Sequence, residues 1–216
     1  MPLRLLLLNF FSSIWCCVLL AMRIHLAGNT YYSFMVWNLF LAGIPLVLSL
    51  ALPKIRRLLF AVPLLTTWLL FFPNAPYVLT DLMHLSERAG NVPKWLDLLM
   101  LLSFGLVSLG FGFQSLQIVQ NWFAQRISRI TGWCVALGTL ALSGFGIYLG
   151  RFLRWNSWDI LHRPHTLLSD IAARFADPLD HTRTWGCTLG FGTLLIFTYL
   201  FWISSATTVH GSRKLD

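Results

Sequence analysis

Two carboxylate–imidazole pairs stand at the same spacing in this chain: Asp81 with His84, and Asp159 with His162. Side chains three apart on a helix share a face, so Asp81 and His84 have the geometry for acid–base work or for two ligand positions on a metal. If the segment after Pro73 is helical, Asn74, Tyr77, Asp81 and His84 form one stripe, with Ala75, Val78, Leu79, Leu82 and Met83 filling the rest. A polar stripe on an apolar helix is the reverse of a lipid-facing surface. Near the second pair, Arg151 and Arg154 lie one turn apart, followed by Asn156, Ser157 and Asp159. Guanidinium groups grip phosphate and carboxylate bidentately. The candidate catalytic residues are therefore Asp81 and His84. The candidate binding residues are Asn74, Tyr77, Arg151, Arg154, Asn156 and Asp159. No residue is assigned to a metal, and no cofactor follows from the sequence.

Plainer readings stand beside these. Asp81 can pair with Arg151 or Arg154 as a structural ion pair, since buried charges are generally paired. The two arginines can snorkel from a span end. Asn156 or Ser157 can cap a short helix that runs to His162 and ends at Pro164. Trp155 and Trp158 fit an interfacial belt. His162, His165 and His181 share a loop with Asp180, but at no metal-binding spacing.

The elements that must position these residues are membrane spans. Of 216 residues 56% are hydrophobic and only 11% charged, against about 25% charged in soluble domains. Apolar runs of roughly 20 residues recur, enough for a helix to cross a bilayer. The expected fold is an all-α, polytopic membrane bundle forming a single domain, with spans near 3–22, 31–52, 58–85, 95–123, 130–150 and 185–206. The third reaches only Phe72 before Pro73 and Pro76, so it is expected to cross as a broken helix. Gly146 with Gly150, and Gly186 with Gly190, have the spacing that lets helices approach closely. In the one long loop, Leu168, Ile171 and Phe175 fall on one helical face and Asp170, Arg174 and Asp177 on the other. A short interfacial helix near 166–176 is expected, with an Asp170–Arg174 pair.

A net charge of +8 does not imply nucleic acid, because the basic residues sit in the gaps between apolar runs. The four cysteines lie within those runs and form no C-x-x-C pair, so they read as small buried hydrophobes. With six spans, lysine and arginine divide equally, eight to a side. Arg4, Lys54, Arg56, Arg57, Arg126, Arg129, Arg213 and Lys214 on the terminal side occupy very short gaps, where the positive-inside rule is strongest. Seven of the eight acids lie opposite; Asp216 does not. Both termini are expected in the cytoplasm. In either orientation, two crossings separate the Asp81 segment from the 151–159 segment, so the two share a membrane face.

These stretches carry a resemblance. The Pro-Asn-Ala-Pro-Tyr…Thr-Asp-Leu…His run from Pro73 to His84 is similar to a signature segment of the bacterial membrane-protein family catalogued as domain of unknown function 1361. So is the Tyr-Leu-Gly-Arg-Phe…Arg-Trp-Asn-Ser-Trp-Asp run from Tyr148 to Asp159. His162 lies outside the shared pattern. The resemblance implies a multi-pass protein of the bacterial inner membrane and no mechanism. The expected partner is the bilayer, with an anionic lipid or phosphate-bearing substrate at a polar pocket on the extracytoplasmic face. The functional expectation is a membrane enzyme acting on a lipid-linked or envelope substrate. The alternative is a carrier or a lipid- or partner-binding accessory protein.

Overall fold

Apolar sequence without room for loops folds into helices that satisfy their own backbone. The computed structural model describes residues 3–55, 57–86 and 92–212, with side chains as far as residue 205. Arg56, Glu87, Arg88, Arg213, Lys214 and Asp216 of the charge distribution lie outside the described residues. Among those described there is no strand, and six helical stretches are long and apolar enough to cross a membrane. The first is α1, Leu3–Ala27. The second is α2, Phe34–Ala51, with 3-10 turns at Tyr31–Ser33 and Leu52–Lys54.

The third stretch has three parts: α3, Leu58–Phe71; the one-turn α4, Asn74–Tyr77; and a 3-10 helix, Val78–Ser86. Pro73 and Pro76 have no amide hydrogen to donate. The chain turns through them on bonds from Ala75 N–H to the Phe72 carbonyl (3.1 Å) and from Tyr77 N–H to the Pro73 carbonyl (3.0 Å). Next come α5, Lys94–Arg126, and α6, Arg129–Phe152. Two short helices, α7 (Asp159–His162) and α8 (Pro164–Ala176), lead to α9, Thr182–Ser212.

The long helix α5 is the hub, packed against α1, α2 and α6 and against the 3-10 helix. Its glycines make the room. A Cβ on Gly112 would stand 2.9 Å from the Ala75 methyl, and one on Gly105 would stand 2.9 Å from Leu79. Polar pairs tie the helices, as expected where no water competes. Asn9 and Gln114 exchange hydrogen bonds of 2.8 and 3.0 Å, Trp68 donates to Ser115 at 2.6 Å, and Tyr199 donates to Gln120 at 2.6 Å.

Three local expectations are corrected. Gly186 and Gly190 face open space; the close approach of α6 to α9 is made at Gly144 and Gly192 instead. Gly146 and Gly150 do support a close approach, but to Pro73 and Tyr77 rather than to another long helix. Neither Asn156 nor Ser157 caps α7 with its side chain. The Asp159 carboxylate reaches back to the Asn156 N–H at 2.8 Å, and Pro164 opens α8 rather than merely ending α7. In α8 the side chain buried in the bundle is Leu167, while Leu168 and Phe175 of the expected apolar face stay more than half exposed. The Asp170–Arg174 pair forms, at 3.4 Å.

Candidate functional site

The residues after Tyr77 wind as 3-10 rather than α-helix, and this changes which side chains meet. A 3-10 helix has three residues per turn, so positions i and i+3 eclipse. Asp81 and His84 therefore stack on one line, and Arg151 reaches both. Its Nη2 donates to Asp81 Oδ1, and its Nη1 lies 3.1 Å from His84 Nε2. A guanidinium can only donate, so that imidazole nitrogen accepts. Nε and Nη2 also donate to Thr80 Oγ1, at 2.9 and 2.7 Å, and the guanidinium carbon sits 4.5 Å over the Tyr77 ring. Gly150 permits this arrangement, because a Cβ there would meet the Tyr77 ring at 3.1 Å.

Asp81 is 1% exposed and its second oxygen accepts from Asn38 Nδ2 at 2.9 Å. Both oxygens are thus engaged, and the carboxylate lies behind the surface rather than on it. Two distant parts of the chain are joined by opposite charges, with Arg151 as the partner and not Arg154. A second buried ion pair supports the same end of the bundle. Arg23, fully buried, donates to Asp97 at 3.2 Å and to Asn29 at 2.6 Å and lies 4.6 Å over the Tyr32 ring. Tyr32 in turn donates to the His84 carbonyl at 3.0 Å.

In front of this clamp opens a cleft of about 1030 Å³, at the upper end of the size of ligand pockets. Asn74, Tyr77, His84, Arg151, Arg154 and Asn156 line it, as do Leu69, Leu70, Leu142, Ser143 and Phe145. Asp81 and Asp159 do not. Asn74 bonds the Phe71 carbonyl at 2.8 Å and Ser157 at 2.9 Å, and Ser157 donates to the Leu70 carbonyl at 3.0 Å, so the 151–159 loop is stitched onto the end of α3. Along α6 the lining runs from Arg151 to Thr139, twelve steps along the helix, or about 18 Å at 1.5 Å per residue. The charged and amide side chains gather at one end, and the rest is mainly apolar, with the hydroxyls of Thr66, Thr139 and Ser143 among the leucines. Trp37 and Asn38 come from α2, and Ile160, Leu167 and Ile171 close the side under α7 and α8.

Arg154 lines the same cleft as Arg151 but is held differently. It is exposed, and it forms no hydrogen bond or ion pair with the described residues. Its φ of 59° is the only positive value among described non-glycine residues. Left-handed backbone costs a residue with a Cβ about 1–2 kcal/mol.

A family model described as a protein of unknown function (DUF1361) matches residues 37–198, or 162 of the chain's 216 residues. The chain belongs to this family. No curated protein and no solved structure matches it. The family's stretch begins at Trp37 and contains every side chain that lines the cleft, whereas α1 and Arg23 lie outside it.

Within the family's stretch, Asp159 serves the loop rather than the cleft. It is buried, and the Asn156 N–H holds its carboxyl below the usual carboxylate range, helped by Arg163 at 3.2 Å and opposed by burial. A group with a depressed folded-state value stabilises the fold above its unfolded value, about 3.9, and loses that contribution as pH falls. The apparent melting temperature should therefore drop between pH 5 and pH 3 by more in the wild type than in Asp159→Asn. Equal drops would refute the assignment. His162 is exposed and bonds the Trp158 carbonyl at 3.0 Å, so the second D-x-x-H does not repeat the first. Trp155 donates to Asp170 at 2.9 Å, and Trp158 meets Trp37 edge-on at 6.3 Å.

Thr80, Asn38 and the Arg23–Asp97 pair were not singled out from the sequence. Asn38 carried a usable signal, a lone amide inside an apolar span. Thr80 stands in the Thr-Asp of the signature segment. Arg23 looks like any span-flanking arginine, and nothing local marks it as buried.

Proposed function

We propose that this chain is a multi-pass protein of the bacterial cytoplasmic membrane, with both termini cytoplasmic and its third span crossing as a broken helix. In this reading it holds a lipid or lipid-linked molecule in the cleft, at the extracytoplasmic end of the third and fifth spans. The observation that carries the reading is the amphiphilic lining. About 18 Å of cleft is more than half of a hydrocarbon core about 30 Å thick. Its polar end coincides with the break at Pro73 and Pro76, and its apolar walls are Leu69, Leu70, Leu142 and Phe145. A molecule with a polar head and an apolar tail matches that order. α3 packs chiefly on α2, and α6 on α5 and α9, so a chain can pass between α3 and α6.

Leu142→Trp tests this. Leu142 is 57% exposed and lines the cleft, so an indole there fills open space rather than a packed core. The variant should fold and melt like the wild type yet retain about tenfold less lipid through purification, a change of about 1.4 kcal/mol. Undiminished lipid would sink the reading.

Chemistry on the bound molecule is the second reading, and His84 is what favours it: its imidazole lines the cleft beside Arg151. Asp81 would then be a positioning residue, acting through Arg151. This reading expects His84→Gln to keep the bound lipid and to alter the envelope-lipid profile of cells that depend on the protein. An unaltered profile would leave binding alone.

A further inference from the structure

The two arginines at the cleft mouth have divided their work. Arg151 has its charge met by Asp81 and three of its four other N–H donors taken by Thr80 and His84, with Tyr77 beneath it. It has little left for a ligand. Arg154, three residues on, lines the same cleft with its charge unmatched by any described residue. Its backbone sharpens the contrast. The chain leaves α6 through a left-handed residue, and the Trp155 N–H closes the turn on the Leu149 carbonyl at 3.1 Å. Glycine takes that conformation without strain and is the usual residue there. Holding an arginine in it makes sense where the side chain is needed more than the strain is harmful.

The geometry points to Arg154 as the receptor for a phosphate-type oxyanion, the headgroup of the molecule held in the cleft. The inference rests on the lipid-binding reading. A planar guanidinium forks onto two phosphate oxygens. Asn156, exposed on the same polar rim, spends one amide hydrogen on Asp159 and can turn the other to the ester oxygens.

The test compares the wild type, Arg154→Gly and Arg154→Lys, purified in mixed micelles containing either phosphatidylglycerol or phosphatidylcholine. Bound lipid is read by native mass spectrometry. The wild type should prefer phosphatidylglycerol about tenfold. Arg154→Gly should melt no lower than the wild type, because its strain is gone, and should bind both lipids equally. Arg154→Lys should restore part of the preference, which a purely structural role would not do. If glycine disturbs the turn, Arg154→Asn repeats the test in a residue that also tolerates left-handed backbone. A preference that survives in both uncharged variants overturns the inference and leaves the lipid reading standing. Retention of neither lipid by the wild type, with no Arg154-dependent binding of glycerol 3-phosphate, overturns both. Glycerol 3-phosphate separates the sources: if it binds Arg154-dependently while no lipid is retained, the anion site stands and the lipid reading falls.

Discussion

Asp81→Ala is expected to destabilise the protein by about 3–5 kcal/mol, the usual cost of stranding one member of a buried ion pair. The Arg151 side chain is 11% exposed and cannot swing into water without abandoning Thr80, His84 and the Tyr77 ring. Removing the carboxylate leaves a largely buried cation without its counter-charge. Arg151→Ala should cost a similar amount, because Asp81 is then left with Asn38 alone. The double variant should cost less than the sum of the two by at least about 1 kcal/mol, since neither charge is stranded. Reversible unfolding in detergent measures all three. Additive losses would mean that the two groups do not depend on each other. The site would suffer with the fold, because Arg151 fixes the chain three residues before Arg154. Asp81→Ala should therefore lose lipid selectivity together with stability, whereas Arg154→Gly should lose selectivity alone.

Much of this was legible in the sequence for a physical reason. Lipid punishes unpaired polar groups, so a carboxylate in an apolar run implies a partner, and crossing parity allowed only a few cations to share its face. Asp81 and the arginines at 151 and 154 were thereby brought to one end before any coordinates. The choice between the arginines was not legible. It depends on the tighter winding of residues 78–86, which eclipses Asp81 and His84, and on Gly150 admitting the Tyr77 ring. Hydrophobic periodicity cannot distinguish nine residues of 3-10 helix from α-helix. An α-helical reading put Asp81 on the same surface as Tyr77 and Asn74, where the structure buries it behind them. A polar pocket was expected from the sequence, but the apolar depth of the cleft was not legible. It is a space between α3 and α6, and spans have lengths and faces but no readable separations.

The glycine pairs make the same point. Spacing alone ranks Gly186 with Gly190 beside Gly146 with Gly150, yet Gly144 is where α6 and α9 nearly touch. A Cβ on Gly144 would stand 2.3 Å from the Thr188 carbonyl oxygen and 2.8 Å from the Gly192 nitrogen. Both obstacles are backbone, so no rotamer change relieves them, and the helices must separate. Overpacking usually costs about 1–3 kcal/mol. Gly144→Ala should fall at the upper end of that range, even though alanine gains up to about 1 kcal/mol of helix propensity over glycine. Gly144→Val should be worse, because two further methyls meet the same backbone. Gly190→Ala, with nothing within 4 Å of its new methyl, should keep the propensity gain and melt at or above the wild-type temperature. The contrast tests the packing directly. If Gly190→Ala is the damaging change and Gly144→Ala the silent one, α9 meets its neighbours through the other face, and Leu142, two residues from Gly144, would no longer be free to line the cleft.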